Sequence, residues 1–357
     1  MRKTKAPVRR RKIYDEVVLA EQIGITTTVP SEVIYAAGLK PVDLNNRFIT
    51  SERPQRLVEA AEQAGFPRNV CAWIKGIYSV ALESEDIRSV IAVTEGDCSN
   101  THALMEVLRY HGKEIIPFAF PYDHDSDALK MQIEKLMARF GVDWGAVLRA
   151  HESMRRAREM LAQLDEMTWR TGQVSGWENH LWLVSSSDFD GDIEGFTERL
   201  AGFIDEKRRA PARAPEVRLA YIGIPPIFTD FYQYVSELSG EIVFNEIQRQ
   251  FAMPYSAALS GKASETDFVE QYRRYTYPCD IFVRLEDIKR EISRRNIDGV
   301  IHYTQSFCFR QIQDFLVRRE IDRPILTLEG DAPAPLDGRT KMRIETFIEM
   351  LKEADDE

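Results

Sequence analysis

Four cysteines stand far apart in the chain, at positions 71, 98, 279 and 308, and three of them sit where a thiolate can work. Cys98 and Cys308 each follow a strand-like run and precede a helix-like one, in VIAVTEGDC–SNTHALMEVLRYH and VIHYTQSFC–FRQIQDFLVRRE. Cys71 opens the helical run AWIKGIYSVALE just after the turn-like GFPRN. A helix N-terminus presents free N–H groups and a positive dipole end, which favour a thiolate and can donate hydrogen bonds to the sulfides of an anionic cluster. Ligands of open α/β sheets bind beyond the carboxyl ends of strands, so the fold could bring Cys71, Cys98 and Cys308 to one cleft as metal ligands. Free cysteines also serve as small buried hydrophobes, and the spacing alone leaves both readings open. Cys279, in TYPCDIF, lacks the strand–helix setting and is left as a spare. The chain has no CxxC pair, which argues against a zinc ribbon or a thioredoxin-type site.

Around these cysteines lie groups that could move protons. Glu95–Gly96–Asp97 and Glu329–Gly330–Asp331 form twin acidic loops after strands. A carboxylate near a bound metal site could carry a substrate proton, which makes Glu95 and Glu329 candidate catalytic residues, with Ser306 in the loop before Cys308. The alternative for these loops is turn and capping chemistry, which is favoured for Asp97 and, as an N-cap, for Asp337. Ser99, Asn100 and Thr101 could donate to a cluster or cap a helix. His102 and His302 are proton donors or structural residues. Arg310 could meet a carboxylate or a phosphate, or be solvated, and Trp73 could shield the site.

The elements that must position these groups are read from periodicity. Residues 30–44 predict a short helix, a stop at Gly38 and a strand; 72–83 predict a helix, 88–94 a strand, 99–111 a helix and 114–119 a strand. Residues 143–168 carry apolar residues every three or four positions, a long amphipathic helix with His151 on its packed stripe and Arg155, Arg156 and Arg158 on a solvated face. A helix near 190–208 leads into the linker-like KRRAPARAP. The second half then predicts strand 217–224, helix 228–239 stopped by Gly240, strand 241–244, helix 285–296, strand 298–304, helix 309–320, strand 324–328 and helix 337–352.

VIAVTEGDC (90–98) aligns with VIHYTQSFC (300–308), with Val-Ile, Thr and Cys in register, so the second half repeats the first. The expected fold class is α/β: two doubly wound parallel-sheet domains related by an internal repeat and joined by a helical segment. The expected boundaries are 1–140 with Cys71 and Cys98, 141–214 helical, and 215–357 with Cys308.

The length of 357 residues is comfortable for two domains, and 44% hydrophobic residues supply an adequate core. A net charge of −10 argues against nucleic acid as a partner. No apolar run spans a bilayer, and the basic N-terminal stretch from Arg2 to Lys12 lacks the apolar region of a secretory signal, so a cytoplasmic protein is expected. That stretch reads as a solvated terminus, or as a patch for phosphates.

NVCAWIKG (69–76), EGDCSNTHAL (95–104), DGVIHYTQSFCFRQI (298–312) and RPILTLEGDAPAPLDGRTKMRIETFIEML (323–351), with PSEVIYAAGLKPV (30–42), resemble the 2-hydroxyacyl-CoA dehydratase and ATP-dependent benzoyl-CoA reductase subunit family, of the 2-hydroxyglutaryl-CoA dehydratase D-component type. The likeness runs over nearly the whole chain and is weakest at 170–210 and 255–285. It implies two flavodoxin-like domains and one [4Fe–4S] cluster on Cys71, Cys98 and Cys308, with one iron open. It implies an acyl-CoA substrate, a homologous second subunit or a homodimer, and an ATP-hydrolysing iron–sulfur activator that injects one electron. The implied activity is a radical lyase that eliminates water from a 2-hydroxyacyl-CoA; the alternatives are a benzoyl-CoA type acyl-CoA reductase subunit and a non-catalytic relay or scaffold subunit. The absence of GxxxxGK[ST] fits a chain whose electron comes from outside. VFNEIQRQFAMPY (243–255) departs from the family pattern, and with it the identity of the acyl group.

Overall fold

A computed structural model describes residues 21–255 and 263–355. The basic N-terminal stretch lies outside them. The chain forms two four-stranded, all-parallel sheets. The first holds β1 (Gln22–Ile25), β2 (Lys40–Asp43), β3 (Ile87–Glu95) and β4 (Glu114–Ala119), in the order β2-β1-β3-β4. The second holds β5 (Val217–Gly223), β6 (Gly240–Asn245), β7 (Gly299–Thr304) and β8 (Ile325–Glu329), in the matching order β6-β5-β7-β8. The aligned segments 90–98 and 300–308 thus belong to equivalent central strands, β3 and β7, and the loops that follow them. Strand β7 is buried at every position, as a parallel strand covered on both faces must be.

In each sheet the chain order reverses beside the first strand, and an open sheet of this kind leaves a crevice at that switch point. The loops after β1 and β3 border one crevice, and those after β5 and β7 border the other. The two halves are packed together by a shared core in which Leu44, Phe48 and Ile77 join Tyr221, Ile301 and Tyr303. Burying such side chains contributes roughly 1.5–3 kcal/mol each. A second core packs Phe268, Tyr272 and Tyr275 from the helix Glu265–Arg273 and its sequel against the helices of the first sheet. No helix among the described residues is long and apolar enough to cross a membrane.

Most expected elements form within a residue or two of their expected bounds, including helices Ala72–Glu83 and Phe309–Glu320. Three differ. The helix expected at 228–239 is only Phe231–Glu237, because the chain stays irregular after Pro225–Pro226 until Asp230. Its stop is Ser239, in the left-handed region at φ 64, while Gly240 already opens β6. The long helix is Trp144–Glu166 and runs on into a π-helical turn, Met167–Thr171, ended by Gly172 at φ 61. Strand β1 and the helices Pro54–Gln63, Ser126–Phe140 and Gly176–Ser185 were not anticipated.

The solvated face expected for the arginines of the long helix is wrong for one of them. Arg158 is buried and its guanidinium lies 2.8 Å from Glu32 Oε1. His151 packs as expected, with Nδ1 3.2 Å from the same carboxylate, and the Tyr272 hydroxyl donates to the other oxygen. Burial alone would push the Glu32 carboxyl up, but Arg158, His151 and Tyr272 outweigh it and hold the group well below its ordinary value. A lowered folded-state value contributes stability above the unfolded value, near 4.5, that is lost as pH falls below it.

Two predictions follow from this packing. Glu32→Gln strands a buried guanidinium and should cost about 3–5 kcal/mol in urea unfolding. The variant's stability should also fall less steeply than the parent's as pH drops below about 4.5. In the Cys98 loop, Gly96 has φ +88, and an added Cβ would lie 2.5 Å from Pro278 Cβ and 2.9 Å from Phe120 Cβ. Gly96→Ala should therefore destabilise by more than about 1 kcal/mol in the same assay.

Candidate functional site

Cys71 is the N-cap of Ala72–Glu83, and the N–H groups of Trp73 and Ile74 approach its sulfur. Cys308 is the N-cap of Phe309–Glu320. Cys98 lies one residue before the N-cap of Asn100–Tyr110. Residues from both switch points, Thr26 after β1 and Ile224 after β5, meet these cysteines around one cavity of about 120 Å³. Cys279 is not on its lining; its sulfur lies 3.3 Å from His124 Nδ1 and donates to Tyr275 O. Among the described residues no three His, Cys, Asp or Glu side chains are grouped to hold a single metal ion. The three thiols border a volume rather than meet at a point.

At Cys71 and Cys98 the pull of the helix-terminal N–H groups is outweighed in the cluster-free protein. Burial pushes Cys71 far up, with Cys98 and Cys308 adding to the rise, and burial followed by Asp97 pushes Cys98 up to about 11. Loss of water outweighs the hydrogen bonds. Thiolates here therefore need positive charge in the cavity.

One buried amide ties the halves together at this point. Gln305 Oε1 accepts from the Cys71 thiol at 2.9 Å and from Ala72 N at 2.9 Å. Gln305 Nε2 donates to the Tyr303 hydroxyl, which donates to Gly330 O at 2.7 Å. Next in sequence, Ser306 donates through N and Oγ to Asp331, at 2.8 and 2.6 Å. Phe307 then takes φ 58, an uncommon conformation outside glycine, and delivers Cys308 to the cavity.

The polar lining includes Asp97, which accepts the Tyr277 hydroxyl at 2.7 Å and the Thr101 hydroxyl at 3.4 Å. Its carboxyl is pushed up by burial, partly offset by Tyr277 and Arg310. Arg310 is 2% exposed and also lines the cavity. A second, larger cavity of about 700 Å³ adjoins the first, and Asp43, Asn46 and His180 border both. Burial pushes Asp43 up against the pull of Ser187 and Asn45. Asp188, on the larger cavity, is pushed up to about 7 by burial and then by Asp43. His180 Nδ1 lies 2.9 Å from the Tyr232 hydroxyl and 3.1 Å from Gln248 Nε2, and burial lowers the imidazole to about 3, so it is neutral.

Of the residues singled out in the sequence, Cys71, Cys98, Cys308, Trp73, Asp97, Thr101 and Arg310 line the cavity. Glu95, Ser306 and Glu329 do not. Exposed Glu95 accepts from Tyr122 N, and exposed Glu329 accepts from Gln311 and Ser306. His102 contacts Thr94 O and His302 contacts Asp314. Ser99 makes no capping hydrogen bond, whereas Asp337 caps its helix through Thr340 N. Asp43, His180, Phe251 and Tyr277 went unnoticed in the sequence. The rule of ligands beyond strand ends could have found Asp43, the last residue of β2; the other three reach the cavity only through tertiary packing.

No curated protein matches the chain. Residues 26–351, a span that takes in strands β2 to β8 and all three cavity cysteines, match the family described as 2-hydroxyglutaryl-CoA dehydratase, D-component. The chain belongs to that family of dehydratase components.

Proposed function

We propose that this chain is the iron–sulfur subunit of a radical 2-hydroxyacyl-CoA dehydratase, with a [4Fe–4S] cluster on Cys71, Cys98 and Cys308. The carrying observation is that cysteines from three separate helix starts border one buried cavity. The donor set fits such a cluster: three thiols, and two buried donors without acceptors, Trp73 Nε1 and Arg310 Nη1. When bound, the cluster would supply one low-potential electron to the thioester, delivered by an ATP-hydrolysing activator and recovered after water has left.

The chain's own residues do the rest. The larger cavity takes the arm of the acyl-CoA, with Lys40 at its edge for a phosphate and the acyl group directed past Asn46 and Asp43 towards the cysteines. Neutral His180 and Asp43, whose carboxyl burial pushes up, border both cavities, and Asp43 can take or give the proton that elimination of the 2-hydroxyl and a 3-hydrogen requires. Apolar Ile49, Ile74, Ile77 and Phe251 keep water from the reacting carbons. Glu95, Ser306 and Glu329 shape the loops that carry Cys98 and Cys308. In this reading the chain works in the cytoplasm beside a related second subunit.

The test is anaerobic reconstitution followed by turnover with an activator. The parent should hold about four irons per chain and convert a 2-hydroxyacyl-CoA to the enoyl-CoA. Cys71→Ser, Cys98→Ser and Cys308→Ser should each lose most iron and all turnover, while Cys279→Ser retains both. Iron at the parent's level in the Cys98 and Cys308 variants, or a product reduced by two electrons, would overturn the proposal.

A further inference from the structure

Arg310 is a buried guanidinium without a carboxylate. It is 2% exposed, and no Asp or Glu among the described residues forms an ion pair with it. Nη2 makes one long bond, 3.4 Å to Tyr277 O, and Nη1 has no partner. Its planar group lies over the rings of Tyr277 and Phe309, at 5.2 and 5.0 Å, which offsets part of the lost hydration. The nearby Glu246 is already engaged: Arg284 holds both its oxygens at 2.9 Å, and Gly223 N donates to one of them. Asp97 has its two oxygens on Tyr277 and Thr101.

Its position makes the excess charge larger. Arg310 stands in the first turn of Phe309–Glu320, where the helix dipole favours an anion and disfavours a cation. Arg284 brings a second positive charge close by, since both arginines act on Glu246. A buried cation in this setting is stable only with an anion beside it. The cavity it lines also carries the orphaned Trp73 Nε1 and the three thiols, one of them two residues away in the same turn.

We infer that Arg310 is the counter-cation of the anionic group held by Cys71, Cys98 and Cys308, and that it raises the reduction potential of that group. The inference rests on the cluster reading above. Three thiolates outweigh the charge of an oxidised four-iron core, so the assembly is anionic and becomes more so on reduction. A fixed, desolvated cation therefore favours the reduced form, and net charge and hydrogen bonding to sulfur are levers on cluster potential. Arg310 is a positioning and tuning residue here; it need not touch the substrate.

The experiment compares parent, Arg310→Gln and Arg310→Lys, each reconstituted anaerobically without acyl-CoA and titrated by EPR. Arg310→Gln should shift the ratio of reduced to oxidised cluster at fixed potential at least tenfold towards oxidised, about 59 mV for one electron, and Arg310→Lys should recover most of that. In the cluster-free proteins, Arg310→Gln should unfold at a temperature equal to or above the parent's, since it removes an uncompensated buried charge. A cluster of unchanged potential in Arg310→Gln overturns the inference and leaves the cluster reading intact, even if affinity for acyl-CoA falls. If Arg310→Gln takes up no cluster, uptake restored by Arg310→Lys supports the inference, and equal failure of both overturns it. A parent that takes up no cluster removes the cluster reading itself and the inference with it.

Discussion

The hydrogen bonds of one buried amide set the geometry on which everything else rests. Gln305, fully buried, holds the thiol and the helix start of Cys71 across 234 positions of chain. The same residue begins the turn that presents Cys308. Loops from the switch points of two sheets of matching order line a common volume beside this contact. Without that contact, two doubly wound units would each own half a site. With it, residues of both halves close one cavity in which burial raises the thiols of Cys71 and Cys98.

Desolvation is the recurring constraint. It raises the Cys71 and Cys98 thiols in the cluster-free protein, keeps His180 neutral and lifts Asp188 towards neutrality. Where the fold buries charge for structure, it pairs it fully. Arg295 bonds both oxygens of Asp165 as well as Glu291 and Val243 O, and Arg249 meets Asp287 and Glu291. This network joins the long helix to β6 and to the helix Ile281–Arg295, and it draws on Val243 and Arg249 of the segment VFNEIQRQFAMPY. The same segment places Phe251 on the cavity. The segment thus serves both the buried ion-pair network and the lining of the cavity. Against such complete pairing, Arg310 stands out as a cation whose partner the protein itself does not supply.

Much of the frame was legible in the chain because its signals are local. Strands β3 and β7 are apolar runs closed by turns, and the repeat of Val-Ile, Thr and Cys located two of the cysteines at equivalent junctions. Strand β1 was missed because QIGI is short and runs into three threonines that read as loop. Charge placement was less legible. A helical arginine looks the same in sequence whether it faces water, as Arg155 does, or a buried carboxylate, as Arg158 does. His180 and Tyr277 carry no local mark either; they line the cavity because distant helices pack there.

The most direct test of the central claim is iron-edge anomalous diffraction from crystals grown without oxygen. The account predicts one compact iron peak in the cavity, bonded to the sulfurs of Cys71, Cys98 and Cys308 and not to Cys279. Iron at Cys279, or a fully loaded protein whose iron lies outside this cavity, would contradict it.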